Sequence, residues 1–470
     1  MKHIMVLCRR FMAMAIAGMS IIIFTACKRE RQSLTAERNC YMTFDQAFTE
    51  QSSDMTFAQA GVFKTPKRAD PSDFLIFPFN VMLTIPDSEP WGDFANMDEM
   101  MRDLYDCGFN TAAFIETKHL KHARNNNLKA ILYDDRKPFP QHTDKAAKWI
   151  AEIMASVTDT LDRDAIHSIY LSDEPKTCDF PILKVWTDAI KEHKVLPYIN
   201  IFSDHISKDI IPDYDEYLNQ YIENCELPYF SYHFYPFKMV KVIDGGVTKV
   251  ERVFYSKAFY SGLETIRDKS HAVGIPFWNV ILSIAHLGYD ETTEETLALQ
   301  VYSALAYGSK GIGYFTFYTA DKGNYRHGAI DRFGHHTKTW DLIRNINLQI
   351  HALMPVYKNL KSVNVFHSET VPRSGYAGDI AVYVDSVRAF SAISDNSPLL
   401  VGEFENIIDG KPYAIVVNKH LEHTTVIKFK FKGYESKKVI VVSQSNRSSR
   451  PFNGESTWLA PGHAFLLTVE

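Results

Sequence analysis

The sequence predicts an α/β architecture, a (β/α)8 barrel followed by a C-terminal antiparallel β-sandwich, and three observations lead there. Between residues 74 and 317, eight short runs rich in β-branched and aromatic residues alternate with longer stretches whose apolar residues recur three and four apart. The short runs are almost continuously apolar, as parallel strands covered on both faces must be. Beyond residue 361 the texture changes to short alternating runs broken by turn residues, as in antiparallel sheets.

Taken in order, the predicted strands are Phe74–Val81, Asn110–Ile115, Leu128–Tyr133, Ile166–Leu171, Leu196–Phe202, Tyr229–Phe234, Phe277–Leu282 and Ile312–Phe317. After the first, Phe94, Met97, Met100, Met101, Leu104 and Tyr105 form one helical stripe, and Gly108 stands at the expected C-terminal cap. Trp149, Ile150, Ile153, Met154 and Val157 make the same pattern after the third. Asp179 and Pro181 open a helix after the fourth. Asp244-Gly245-Gly246 predicts a hairpin inserted between strands six and seven. Glu294 to Tyr307 leads into strand eight, and Trp340 to Leu353 follows it. A doubly wound open sheet is the competing arrangement, but Gly308, Gly311 and Gly313 precede strand eight instead of following a first strand, so no phosphate-binding turn is formed. The sandwich is read from Ile380–Val384, Tyr413–Val417, Val426–Phe431, Val439–Val442 and Ala464–Val469.

The chain of 470 residues divides into a signal segment (1–27), a polar tether (28–71), the barrel (72–360) and the sandwich (361–470). Lys2, Arg9 and Arg10 precede an apolar stretch, Phe11 to Ala26, shorter than a membrane span and ending in small residues, as an export signal does. Formal net charge is −5, and all the charge of residues 1–27 is positive, so the body is more acidic still and lacks the basic footprint of a nucleic-acid binder. No second long apolar run exists to span a membrane. Cys40, Cys107, Cys178 and Cys225 have neither CxxC nor metal-ligand spacing and read as thiols in a body large enough to need no staples.

In such a barrel the chemistry lies at the C-terminal ends of the strands. The residues there are Glu116, Asp134, Asp135, Asp173, Glu174, Asp204, His233, Tyr235, Asn279, His286, Tyr318 and Asp321. Carboxylates interleaved with aromatics suit carbohydrate: ring faces stack on sugars and carboxyl groups perform acid/base work at the glycosidic bond. The pattern contains no metal-ligand cluster, no GxSxG and no P-loop, and calls for no cofactor. Its sharpest segment is Ser168-Ile-Tyr-Leu-Ser-Asp-Glu-Pro175, which puts Asp173 and Glu174 at the exit of strand four. His119 and His122 read as a solvated basic helix face, His335-His336 as a polar loop, and Trp278 as either barrel core or a sugar platform.

These residues resemble two known groups. Phe24-Thr25-Ala26-Cys27 resembles a bacterial lipobox, with Phe24 in place of the usual Leu, which implies lipidation of Cys27 and an anchor in a bacterial membrane, an outer membrane facing periplasm or cell surface. SIYLSDEP (168–175), YFSYHFYPF (229–237), IPFWNVILS (275–283), ALAYGSKGIGYFTFYT (304–319) and LAPGHAFLLTV (459–469) resemble bacterial TIM-barrel glycoside hydrolases of the β-galactosidase-like, family 42-like group. That resemblance implies a glycosidase acting on a carbohydrate, working with glycan-uptake machinery, with Glu174 as general acid/base; the Asn usual before that Glu is Asp173 here. It also exposes a departure, since strand seven ends without the nucleophilic Glu, and Glu291 lies well beyond it. Two mechanisms stay open. Asp204, Asp134 or Asp135 acts as base or nucleophile, or the Asp173-Glu174 pair works as in the similar substrate-assisted hexosaminidases, with Tyr235 or Tyr318 adding a hydroxyl. A non-catalytic glycan-binding lipoprotein is the third alternative.

Overall fold

The computed structural model describes residues 66–79, 92–138, 140–320, 323–368, 371–372, 379–380, 398–427, 429–445, 448–452 and 458–470. All belong to one unit, Thr65–Glu470. The signal segment, Cys27 and nearly all of the tether, Cys40 included, lie outside the described residues. No helix among the described residues is long and apolar enough to cross a membrane.

Each of the eight predicted runs coincides with a parallel strand: β1 (Leu75–Pro78), β2 (Thr111–Ile115), β3 (Lys129–Leu132), β4 (Ile166–Asp173), β5 (Leu196–Asn200), β6 (Phe230–His233), β9 (Phe277–Leu282) and β10 (Gly311–Phe315). The inserted hairpin is β7 (Phe237–Asp244) and β8 (Val247–Phe254), turning at Gly245 and Gly246, whose φ of 54° and 82° favour glycine.

The helices between them are α1 (Met97–Asp106), α2 (Leu120–Asn125), α3 (Ala146–Ser156), α4 (Thr160–Ala165), α5 (Phe180–Lys191), α6 (Tyr214–Cys225), α7 (Ser256–Val273), α8 (Glu294–Ala306) and α9 (Lys338–Tyr357). α1 shows how sequence produces them. The Asn96 side chain caps Glu99 N at 3.1 Å, Met97, Met100, Met101 and Leu104 bury one face, and Gly108 follows with a φ of 93°.

The eight strands form two four-stranded sheets, in the orders β1-β10-β9-β6 and β2-β3-β4-β5, and not one uninterrupted ladder. The reason lies at the two seams. Between β1 and β2 the Asn110 side chain replaces ladder partners: its Oδ1 accepts from Ile76 N at 2.8 Å and its Nδ2 donates to Phe74 O at 2.8 Å. One backbone bond, Asn110 N to Ile76 O at 3.2 Å, crosses there as well. Between β5 and β6 the link is Ile201 N to Ser231 O at 2.8 Å.

The alternation of strand side chains sorts the residues. Tyr198 and Asn200 of β5 face Ser231 and His233 of β6, whereas Tyr232 turns toward Gly262 of α7. An aromatic stack fills the space low between the sheets: Trp278 lies 3.9 Å from Tyr229 and 6.3 Å from Tyr198, ring centre to ring centre. Trp278 is therefore core.

The C-terminal sheet is antiparallel, in the order β11 (Leu360–His367), β14 (Leu399–Asn406), β15 (Pro412–Asn418), β20 (Ala464–Val469), β17 (Val439–Val442) and β18 (Ser449–Pro451). Two small ribbons, β12 (Val371–Pro372) with β13 (Asp379–Ile380) and β16 (Thr425–Val426) with β19 (Trp458–Leu459), accompany it. β11 and β14 are not among the runs read from the sequence, and of the run Ile380–Val384 only Ile380 lies within the described residues. Val401, Val416, Val441 and Leu467 close a second core with Ile427 and Phe429, while Leu400, Ile415 and Leu466 join the main core. Contact with α8 is close: a Cβ on Gly402 would stand 2.0 Å from Ala306 O.

Candidate active site

β4 runs two residues past its predicted end and delivers Asp173 and Glu174 to the mouth formed by the C-terminal strand ends. Glu174 has a φ of 50°, a left-handed conformation that neither a non-glycine residue nor one preceding proline ordinarily takes. Such a conformation costs about 1–2 kcal/mol; here Glu174 N donates to Asn200 O at 2.8 Å and holds the turn. The twist brings the Glu174 carboxyl to His233, with Nε2 2.9 Å from Oε1. The Glu174 side chain remains 44% exposed, so it is no buried structural ion pair.

Asn200 completes the cluster. Its Nδ2 donates to Asp173 Oδ1 at 2.9 Å and lies 2.9 Å from His233 Nδ1, while its Oδ1 accepts from Ser231 Oγ at 3.1 Å. Loss of solvent raises the Asp173 pKa above the usual carboxylate range, and the Glu174 charge adds to this against the opposing pull of His233 and Asn200. For His233, burial lowers the pKa, but the bond to Glu174 and the charges of Asp173 and Glu174 prevail, so the direction is upward.

An aromatic wall stands beside this cluster. The Tyr235 ring lies 5.4 Å from His233 and stacks on Phe315 at 5.2 Å. His286 stacks on Tyr325 at 5.0 Å and contacts Tyr289 at 4.9 Å. Burial, then the charges of Asp173 and Glu174 among others, push the Tyr235 phenol up; burial and Glu174 do the same to Tyr289. Burial lowers His286, which favours a neutral ring suited to stacking. On the other flank Lys137 Nζ donates to Leu171 O and lies 5.8 Å from the Tyr170 ring centre, and burial pulls its pKa down to about 8.

The structure thus brings Asp173, Glu174, His233, Tyr235 and His286 into one region, whereas Asp204, Asn279 and Tyr318 are engaged elsewhere. Asp204 is a correction: β5 ends at Asn200, the chain turns, and the Asp204 carboxyl accepts from Thr265 Oγ1 of α7 at 3.2 Å with His205 Nε2 3.3 Å away. Asn279 sits mid-strand opposite Tyr232, on the helix-facing side, and is buried. Tyr318 is another correction. β10 ends at Phe315, and the Tyr318 ring is buried against Phe317 beside the bridge to Ile330, where burial raises its phenol.

Glu116, Asp134 and Asp135 line a separate cleft of about 340 Å³ at the ends of β2 and β3. Burial would raise Asp134, but Arg136, bonded at 2.9 and 2.7 Å, holds it below the ordinary range. Asp321 lies outside the described residues. A larger cavity, about 690 Å³, opens at the opposite strand ends beside Arg68, Asn110 and Lys129, away from Glu174.

The histidine pairs also differ from expectation. His119 is buried and His122 Nδ1 lies 2.8 Å from Asp98, so that helix face is not simply solvated. His336 Nε2 meets Asp103 Oδ1 at 2.8 Å and its ring stacks on Trp340 at 4.3 Å. Glu291 pairs with His327 at 3.1 Å. Among the described residues no group of three or more His, Cys, Asp or Glu could hold a metal ion. The residues that sequence reading missed are Asn200, Ser231, Tyr289 and Tyr325. Asn200 was legible as the last polar residue of the strand-five run, hidden because that run was carried on to Phe202.

No family model matches the chain, and no curated protein matches it. Among solved structures it is similar to a β-galactosidase from the psychrophilic Marinomonas ef1, with 10% identity and a TM-score of 0.43 over 61% of this chain and 62% of that one. It is also similar to a glycoside hydrolase family 5 protein from Bacteroides vulgatus, with 11% identity and a TM-score of 0.45 over 84% and 88% of the two chains. A family 51 α-L-arabinofuranosidase from Bifidobacterium longum shows 8% identity and a TM-score of 0.42 over 86% and 96%. The chain thus spans less than two thirds of the Marinomonas enzyme.

Proposed function

We propose that the chain is a glycoside hydrolase in which Glu174 protonates the leaving glycosidic oxygen. The observation that carries this reading is the Asp173-Glu174 pair at the exit of a parallel strand, with the partly exposed Glu174 carboxyl hydrogen-bonded to His233 and facing an aromatic wall. Carboxyl acid and stacking surface are what cleavage of an acetal between sugars requires. The strands act as a (β/α)8 barrel closed across its two hydrogen-bonded seams, with the C-terminal sheet as the packed face of a sandwich.

One observation favours substrate-assisted cleavage of an N-acetylhexosaminide as the second reading. Among the candidate second carboxylates, Asp204 is engaged with α7, Asp134 with Arg136, and Asp135 lines the cleft at the ends of β2 and β3, whereas Asp173 stands beside Glu174. In that mechanism the acetamide oxygen of the sugar attacks its anomeric carbon, the glycosidic C–O bond breaks, and the Glu174 proton goes to the departing oxygen. Water then opens the cyclic intermediate with Glu174 as base, and Asp173 orients the acetamide. We place the protein on a bacterial membrane through lipid on Cys27, supplying a glycan-uptake system.

The test is a screen of aryl glycosides, with and without the N-acetyl group, on the wild type and Glu174→Gln. Loss of turnover with retained ligand binding supports the acid assignment. Turnover unchanged in Glu174→Gln overturns it, and binding with no turnover in either protein leaves the glycan-binding reading.

A further inference from the structure

We propose that Asn200 is a positioning residue that fixes His233 as the Nε2–H tautomer, so that His233 donates to Glu174 Oε1 and the transferable proton of Glu174 resides on Oε2. This deepens the reading of Glu174 as proton donor and rests on it.

The direction of every hydrogen in the chain of contacts follows from donor and acceptor chemistry. Asp173 Oδ1 lies 2.9 Å from one end of the Asn200 amide. A carboxylate oxygen accepts, so that end is the NH2 group, and the other end is the carbonyl oxygen that Ser231 Oγ reaches at 3.1 Å. Ser231 Oγ, donating there, accepts from Tyr198 OH at 2.9 Å. The second amide hydrogen of Asn200 points at His233 Nδ1, 2.9 Å away, which must present a lone pair to it. The ring proton is then on Nε2, 2.9 Å from Glu174 Oε1. Tyr198, Ser231 and Asn200 are buried to within 1% of complete exclusion from solvent, so water does not compete for these bonds.

The groups facing His233 are Asp173 and Glu174 from the exit of β4, Asn200 from β5 and Tyr235 beyond β6. The two carboxylates draw a second proton to the ring. That proton has one place to go, Nδ1, where it would meet the Asn200 N–H head on. Turning the amide over removes the clash but sets its oxygen against the Asp173 carboxylate. Whenever the ring is neutral, therefore, its one proton sits on Nε2 and is donated to Glu174. A donor to Oε1 makes that oxygen the poorer base, which leaves the Glu174 proton on the oxygen free to face the mouth.

Nitrogen NMR of the full chain, carrying heavy nitrogen in its histidine rings, reads the tautomer without any substrate, and Glu174→Gln activity reads the acid assignment separately. The His233 signals are identified by their loss in His233→Gln. The expected wild-type spectrum, recorded above the pH at which the ring takes up a second proton, has Nε2 protonated and Nδ1 bare. In Asn200→Asp the new carboxylate accepts from Nδ1, and both nitrogens become protonated. A wild-type ring protonated at Nδ1 overturns the proposal, as does an unchanged ring in a folded Asn200→Asp protein. If that variant does not fold, the wild-type spectrum decides alone. With a hydrolysed glycoside in hand, Asn200→Asp lowers kcat by about tenfold with KM little changed, short of the ~10²–10⁴-fold cost of removing the acid. An unchanged kcat contradicts the coupling to Glu174 even where Glu174→Gln is inactive.

Discussion

His233 Nε2 lies 2.9 Å from Glu174 Oε1, and the two side chains come from strands on different four-stranded sheets. Their meeting depends on the β5–β6 seam, where the backbone bond from Ile201 to Ser231, the Ile201–Tyr232 bridge and the bonds of Tyr198 and Asn200 to Ser231 set the register of both. The candidate acid is thus assembled by the same contacts that join the sheets. Five measurements besides the NMR experiment follow from this arrangement and from the surrounding fold.

Glu174→Gln keeps the shape of the side chain and removes its proton-transfer role. Activity on a cleaved glycoside should fall by ~10²–10⁴-fold while the fold and ligand affinity hold. Asp173→Asn should spare substrates lacking an N-acetyl group and slow those carrying one, if the second reading of the mechanism is right. Equal losses on both substrate types would remove the substrate-assisted route.

Gly402→Ala should destabilise the protein because its Cβ has nowhere to go: Ala306 O would be 2.0 Å away across the contact between β14 and α8. The backbone of α8 must retreat, which costs about 1–3 kcal/mol or more. Urea unfolding followed by tryptophan fluorescence would show a lower midpoint, whereas an unshifted midpoint would mean that the sheet and helix separate freely.

Trp278→Ala opens a void within the Tyr198–Tyr229–Trp278 stack and should cost about 3–5 kcal/mol. Its effect belongs to stability. A sugar-platform role would instead show as weakened ligand binding in a protein of unaltered melting temperature.

Asp103 gives the fold a pH signature. Burial, opposed by His336 and Trp340, raises its pKa to about 6. A carboxyl raised in the folded state binds its proton there when the unfolded chain has already lost it. Stability therefore falls as pH rises from the ordinary carboxylate range to about 6, and the loss persists above that. The effect is at most about 3 kcal/mol. Across this window, Asp103→Asn should remove the Asp103 share of the pH dependence, so that the wild-type stability declines relative to the variant as pH rises to about 6.

Much of this was legible in the chain itself. Eight near-continuous apolar runs became eight parallel strands, because a strand buried on both faces has no polar alternative, and the Asp244-Gly245-Gly246 turn became a hairpin because its left-handed φ values favour glycine. The pair Asp173-Glu174 was recognisable from two carboxylates and a proline at a strand exit. Which further polar residue joined them was not. Asn200 and Asp204 are both near the end of strand five, and only the point where the ladder stops, at Asn200, decides that one faces His233 and the other α7. A strand reverses the direction of its side chains at every residue, and past its end that alternation stops, so a misplaced strand end leaves the facing of the residues beyond it undetermined. Local sequence determined where the strands are and what they can bury. The tertiary structure alone decided which side chains share a space, because that depends on register between segments far apart in the chain, which no local pattern encodes.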